Sequence, residues 1–254
     1  MQYAERATMK SIIVFTWFLL FPVTAFAAGG NTVSYSINGK TYEGYFTSPS
    51  AGAPFVLLIH DWDGLTDYEI KRANMLAEEG YAVFAADLFG TGIRPTEDGD
   101  KRQHTGELYK DRKKMRALMI GVLDAAIEKG ANINNAVAVG YCFGGAAVLE
   151  LARAGAPLKG FVTFHGGLST PEGQDYSRTR GKVLVFHGEA DTAVTMKDFK
   201  QLDSELQRHG VMHEMISYEG APHAFTVFGS ERYREKADKA SWQRFLQFLA
   251  ETLQ

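Results

Sequence analysis

Beyond residue 30 the chain alternates short apolar runs with longer stretches in which apolar residues return every third or fourth position. Short apolar runs bounded by turn residues read as buried strands, and the three-to-four spacing reads as helices with one buried face. The pattern predicts strands at Phe55 to Ile59, Ala82 to Ala86, Ala136 to Val139, Gly160 to Phe164, Lys182 to Phe186 and His213 to Tyr218. Helices are predicted at Tyr68 to Glu79, Gly106 to Lys129, Gly144 to Ala154, Lys197 to His209 and Glu231 to Leu253. Ahead of these, Thr32 to Ile37 and Thr41 to Phe46 flank Asn38 and Gly39, a pair suited to the positive backbone angles of a tight hairpin turn. Strands alternating with helices imply an α/β fold, a mostly parallel sheet with helices on both faces and an N-terminal β-hairpin. Residues 89–105 and 166–181 read as two long connections, each a possible lid over a pocket or a solvated excursion.

The first 28 residues follow a different pattern. Lys10 precedes the apolar segment Ile12 to Phe21, Pro22 interrupts it, and Ala25, Phe26 and Ala27 supply the small-x-small signature of a cleavage site near Ala27 and Ala28. This is expected to be a secretory signal, with Met9 as an alternative start, leaving residues 29–254 as one domain. The expected location is periplasmic or secreted, without stable membrane association after cleavage. An uncleaved N-terminal anchor is the other reading.

One segment carries chemistry. Gly140, Tyr141, Cys142, Phe143, Gly144 and Gly145 follow the apolar run Ala136 to Val139 and open the next helix. Small residues around a single reactive one are what a sharp strand-to-helix turn requires, so the segment reads as a nucleophile elbow with cysteine at its tip. The first amides of the following helix should favour a thiolate there. The strand Lys182 to Phe186 leads to Asp191, and a later loop carries His223. Nucleophile, acid and histidine in that chain order match an α/β-hydrolase, with His223 as base and Asp191 as its orienting acid. Taken singly, each residue has a plainer role: a buried small apolar side chain, a turn cap, a loop histidine.

With these residues placed, the chain resembles the dienelactone hydrolase family of α/β-hydrolases. The resemblance extends to His60, Asp61, Trp62, Asp63, Gly64 and Leu65 after an early strand and to Gly80 through Leu88. It implies an α/β-hydrolase fold, a Cys142, Asp191, His223 triad, and oxyanion contacts from the backbone amides of Trp62 and Phe143. It also implies that the acid after the early strand modulates the thiol. The family has a glutamate there and this chain has the shorter Asp61. Family members that act on dienelactone hold its carboxylate with arginines, one of them four residues after the histidine, where this chain has Val227. Arg94 and Arg102 are the nearest substitutes by sequence.

A composition of 45% hydrophobic residues over 254 positions is enough for a full core, and a net charge of −3 offers no field for nucleic acid. The single cysteine excludes an intramolecular disulfide. His60, His165 and His187 gather at predicted strand ends beside Asp61 and Asp63, yet none shows the tight spacing of a metal site, so neither metal nor cofactor is expected. The function implied is cleavage of a small ester or lactone; the alternative is a hydrolase-fold binding protein that has lost its chemistry. Oligomeric state is not readable from these residues.

Overall fold

The computed structural model describes residues 29–253; the expected signal segment, residues 1–28, lies outside them. Among the described residues, no helix is long and apolar enough to cross a membrane. Eight strands form one sheet: β1 (Asn31–Ile37), β2 (Lys40–Thr47), β3 (Pro54–Ile59), β4 (Ala82–Ala86), β5 (Asn132–Tyr141), β6 (Gly160–Phe164), β7 (Lys182–Gly188) and β8 (His213–Tyr218). Their spatial order is β1-β2-β4-β3-β5-β6-β7-β8. The first two pair antiparallel to each other and β2 runs antiparallel to β4, whereas β3 through β8 pair in parallel. The hairpin turn is the one expected, with Asn38 at φ 52° and Gly39 at φ 77°.

Six helices cover the sheet: α1 (Asp67–Glu78), α2 (Asp98–Lys110), α3 (Arg112–Glu128), α4 (Phe143–Arg153), α5 (Met196–Arg208) and α6 (Glu235–Thr252). Strand side chains alternate between two faces, so Val56 and Leu58 join one core while Phe55, Leu57 and Ile59 join the other. Ala73 and Leu76 of α1 and Phe245, Phe248 and Leu249 of α6 seal the first face. The second is closed by Leu108 of α2 and by Met119, Val148 and Leu202 of α3, α4 and α5. Phe245 is fully buried, and such burial contributes roughly 1.5–3 kcal/mol per side chain. That double cover explains why the central strands read as unbroken apolar runs.

Two expectations are corrected. The single helix predicted over Gly106 to Lys129 is two helices, because Asp111 adopts φ −113°, ψ 80° and its carboxylate accepts the Lys114 amide at 2.9 Å as the cap of α3. Residues 89–105, read as loop, contain the first two turns of α2. That helix buries only Thr105 and Leu108, so its sequence carries almost no periodic apolar signal. Residues 166–181 hold neither helix nor strand, as expected.

Candidate active site

The strand β5 ends at Tyr141 and α4 begins at Phe143, leaving Cys142 to make the turn at φ 51°, ψ −110°. A non-glycine residue at positive φ is strained and persists only when its surroundings hold it. They do so by close packing. A Cβ on Gly140 would overlap the backbone of Gly144, one on Gly144 would overlap the carbonyls of Ile59 and His60, and one on Gly145 would overlap the Thr163 hydroxyl. The Cys142 amide donates to the Phe164 carbonyl at 3.0 Å and the Cys142 carbonyl accepts from Gly145 at 3.1 Å.

Two later loops bring the remaining groups to the thiol. His223 Nε2 lies 3.1 Å from Cys142 Sγ, and His223 Nδ1 lies 2.7 Å from Asp191 Oδ2. The partners fix the tautomer, with Nδ1–H donating to the carboxylate and Nε2 left to accept from the thiol. Asp191 Oδ1 accepts the amides of Ala193 at 2.8 Å and Val194 at 2.9 Å. Burial disfavours the Asp191 carboxylate, but the hydrogen bond and charge of His223 and those two amides hold its pKa below the usual value.

The thiol itself is held the other way. Burial and then the Asp61 carboxyl push its pKa up, outweighing the Phe143 amide directed at the sulfur. Against the expectation that helix amides favour a thiolate there, desolvation works the other way and disfavours the charged sulfur.

Asp61 is buried beside the thiol at the end of β3. Its own pKa is raised by burial, by its hydrogen bond with Asp63 and by the nearby Glu69 carboxyl. Asp61, Asp63 and Glu69 bring carboxyl oxygens within 4.8 Å of one another. Several of these oxygens already face donors: the Asp63 amide reaches Asp61 Oδ1 at 3.0 Å, and the Thr66 amide reaches Glu69 Oε2 at 2.8 Å. His60 stands apart from this trio. Its Nδ1 donates to the Asp61 carbonyl at 2.6 Å and its Nε2 accepts from the Leu88 amide at 3.1 Å, so both nitrogens serve the backbone. His165 contacts the Thr226 hydroxyl at 2.8 Å through Nε2, and its ring meets that of His223 edge-on at 5.4 Å. His187 is buried with neither ring nitrogen hydrogen-bonded among the described residues, and burial lowers its pKa.

A pocket of about 390 Å³ opens over the sulfur. Asp61, Trp62, Cys142 and His223 form its floor, and Tyr109, Arg102 and Arg232 stand at its sides. The Trp62 amide has no acceptor among the described residues. The Trp62 ring lies under Lys101 at 5.0 Å and Arg102 at 5.9 Å. Of the two arginines expected near substrate, Arg102 lines the pocket, paired with Asp98 at 3.5 Å. Arg94 does not. Its guanidinium is bound to the carbonyls of Leu65 and Ile93 and lies 3.8 Å from Asp87, holding the loop after β4 in shape. Sequence reasoning missed both Tyr109 and Arg232 at the pocket: it placed Tyr109 in the helix predicted from Gly106 and Arg232 in the helix predicted from Glu231, whereas α6 begins only at Glu235 and leaves Arg232 in the preceding loop.

Outside the pocket, Arg72 is almost fully buried. It pairs with Asp238 of α6, donates to the Thr226 carbonyl at 2.8 Å and lies against the rings of Phe228 and Trp242. Arg72 thus fastens the loop carrying His223 to both α1 and α6.

A cysteine at a strained strand-to-helix turn, followed in chain order by an acid and a histidine on a mostly parallel eight-stranded sheet, defines an α/β-hydrolase. The sequence model of the dienelactone hydrolase family matches residues 42–253. The chain belongs to that family. It is similar to the carboxymethylenebutenolidase of Pseudomonas putida, 26% identical over 225 residues that cover 85% of this chain and 93% of that one. The protein usf of Aquifex pyrophilus is 27% identical over 203 residues, 77% of this chain and 87% of its own. Among solved structures, a dienelactone hydrolase-like promiscuous phosphotriesterase from metagenomic libraries superposes with a TM-score of 0.83 at 31% identity, covering 90% of this chain and 100% of that one.

Proposed function

We propose that this protein hydrolyses small carboxylic esters or lactones through Cys142 as nucleophile. The observation that carries the reading is the continuous hydrogen-bonded line from Cys142 Sγ to His223 at 3.1 Å and on to Asp191 at 2.7 Å, at the floor of an open pocket. In this reading substrate entry places the carbonyl carbon over the sulfur, and His223 Nε2 takes the thiol proton as the C–S bond forms. The carbonyl electron pair moves to oxygen, where the amides of Trp62 and Phe143 hold it. Collapse of the intermediate expels the alcohol oxygen, which receives the proton from His223. Water, deprotonated by the same nitrogen, then releases the acyl group from the thioester. Asp191 keeps the imidazole in the required tautomer and stabilises its charged form.

Burial that disfavours the thiolate suits this sequence, because it calls on His223 to take the proton as the C–S bond forms. Asp61, buried beside the sulfur, is the carboxyl that modulates the thiol in this reading. Arg102 and Arg232 place positive charge at the mouth, which favours substrates with an anionic group. The reaction requires no cofactor. The signal-like segment supports export to the periplasm or secretion, and the N-terminal sequence of the purified mature protein checks it.

The test is turnover of p-nitrophenyl acetate and a small lactone panel by the mature protein beside Cys142→Ala. A phosphotriester joins the panel because a solved relative is described as a promiscuous phosphotriesterase. Turnover abolished in the variant supports the cysteine hydrolase. Equal rates, or none in either, refute it and favour a binding role for the pocket.

A further inference from the structure

Glu69 sits in the first turn of α1, where it completes a capping box with Thr66. Such a cap ordinarily lies at the surface, where a carboxylate keeps its water. Glu69 is instead fully buried. It also takes a donor that a capping box does not need. While Oε2 accepts the Thr66 amide and hydroxyl, each at 2.8 Å, Oε1 accepts the Asp61 amide at 3.4 Å. One carboxylate therefore ties together the two ends of the loop from Asp61 to Thr66. Between them stands Trp62, whose amide lacks any acceptor among the described residues and faces the role of oxyanion donor in the reading above.

We propose that Glu69 is a positioning residue for catalysis, holding the Asp61 to Thr66 loop so that the Trp62 amide meets the oxyanion. The inference rests on the proposed hydrolysis. Glu69 never touches substrate. It acts by accepting two backbone amides five residues apart with an acceptor-only group. A glutamine at the same place can accept from Thr66 with its oxygen, but its NH₂ then confronts the Asp61 N–H, donor against donor. The loop end next to Trp62 must retreat while the helix cap persists.

Protonation of Glu69 imposes the same conflict. The charged and titratable groups near it are Asp61 and Asp63 from the loop, the Tyr141 phenol from β5, and Arg72 one turn further along α1, whose guanidinium is engaged by Asp238 and the Thr226 carbonyl. Burial raises its pKa to about 7, against the opposing hydrogen bonds of Thr66.

The experiment compares wild type, Glu69→Gln and Thr66→Val, with Cys142→Ala as the blank, for p-nitrophenyl acetate hydrolysis, iodoacetamide alkylation of Cys142, and thermal unfolding. Glu69→Gln should lower kcat about tenfold at pH 8 with KM and the alkylation rate each within about twofold of wild type. The wild-type to Glu69→Gln ratio of kcat should shrink as pH falls below about 7, where Glu69 is itself neutral. Taking the ratio cancels any pH dependence common to the two enzymes. Thr66→Val, which loses only the cap hydroxyl, should unfold at lower temperature and keep its kcat. Equal kcat in wild type and Glu69→Gln overturns the inference, as does equal loss in Glu69→Gln and Thr66→Val, the mark of a helix cap alone. Alkylation falling in step with kcat also overturns it, since the effect would then lie at the sulfur. If Glu69→Gln fails to fold, Glu69→Asp retains the charge but withdraws from the Asp61 amide, and an undiminished kcat there is equally fatal. Absence of turnover in wild type above the Cys142→Ala blank refutes the proposed function, and this inference falls with it; the other outcomes leave that function standing.

Discussion

Replacing Asp191 by asparagine tests the His223 tautomer without changing the volume of the site. The decisive groups are the amides of Ala193 and Val194, which both donate to Asp191 Oδ1. An asparagine that keeps them must turn its oxygen toward the amides and its NH₂ toward His223 Nδ1. That nitrogen then accepts, Nε2 carries the proton, and the imidazole cannot receive one from Cys142. Turning the amide around restores the tautomer but sacrifices two hydrogen bonds, about 2 kcal/mol in all, which leaves roughly one molecule in 30 competent. The competent molecules still lack the charge that stabilises the imidazolium, a further loss of about 2 kcal/mol for a charge-assisted bond. The product is a kcat about 10³-fold lower. Stopped-flow acylation by p-nitrophenyl acetate measures it directly, with circular dichroism to confirm the fold. A well-folded Asp191→Asn enzyme within about tenfold of wild type would show that the tautomer argument is wrong.

Other expectations follow from single contacts. Gly140→Ala drives a methyl into the Gly144 backbone and should cost at least about 2 kcal/mol in urea unfolding, since backbone cannot yield as a side chain does. Arg72→Ala strips the buried Asp238 of its cation, and a loss of about 3–5 kcal/mol is expected in the same assay. Arg232→Ala should raise KM several-fold for an ester bearing a carboxylate while leaving that for p-nitrophenyl acetate unchanged, read from paired Michaelis curves. Because the native Asp191 pKa is depressed, its contribution to stability is complete above the unfolded value near 4 and is lost as pH falls through the native one. The stability gap between wild type and Asp191→Asn should accordingly narrow from pH 5 to pH 2 in equilibrium unfolding.

Legibility in the sequence depended on whether a residue's role was imposed by its neighbours along the chain or by contacts across space. The hairpin, the elbow and the buried strands were readable because local sterics and two-sided burial leave a pattern on consecutive residues. Family membership is shown by a match over residues 42–253. The first turns of α2 were not readable, since its thirteen residues bury only Thr105 and Leu108. The Asp111 break was equally hidden, because an aspartate in an amphipathic run looks like one more solvated position. Arg94 was misplaced for the same reason, since nothing in a charged loop says which guanidinium will find backbone carbonyls and which will remain at the pocket, and Arg232 went unnoticed because it was read as part of the last helix. Glu69 resembled an ordinary surface cap, and only its burial and the distant Asp61 amide mark it otherwise.

The buried Arg72 joins three stretches of chain that are remote in sequence: α1, the loop at Thr226 three residues beyond His223, and α6. The elbow has no such dependence, being locked by β3, β5 and β6 in the middle of the sheet. Damage to the two halves of the site is therefore uncoupled. Trimming or prying away the C-terminal helix releases the base while the nucleophile stays in place. On gentle heating, activity should disappear before the elbow itself unfolds, which makes α6 the natural position for an engineered off-switch.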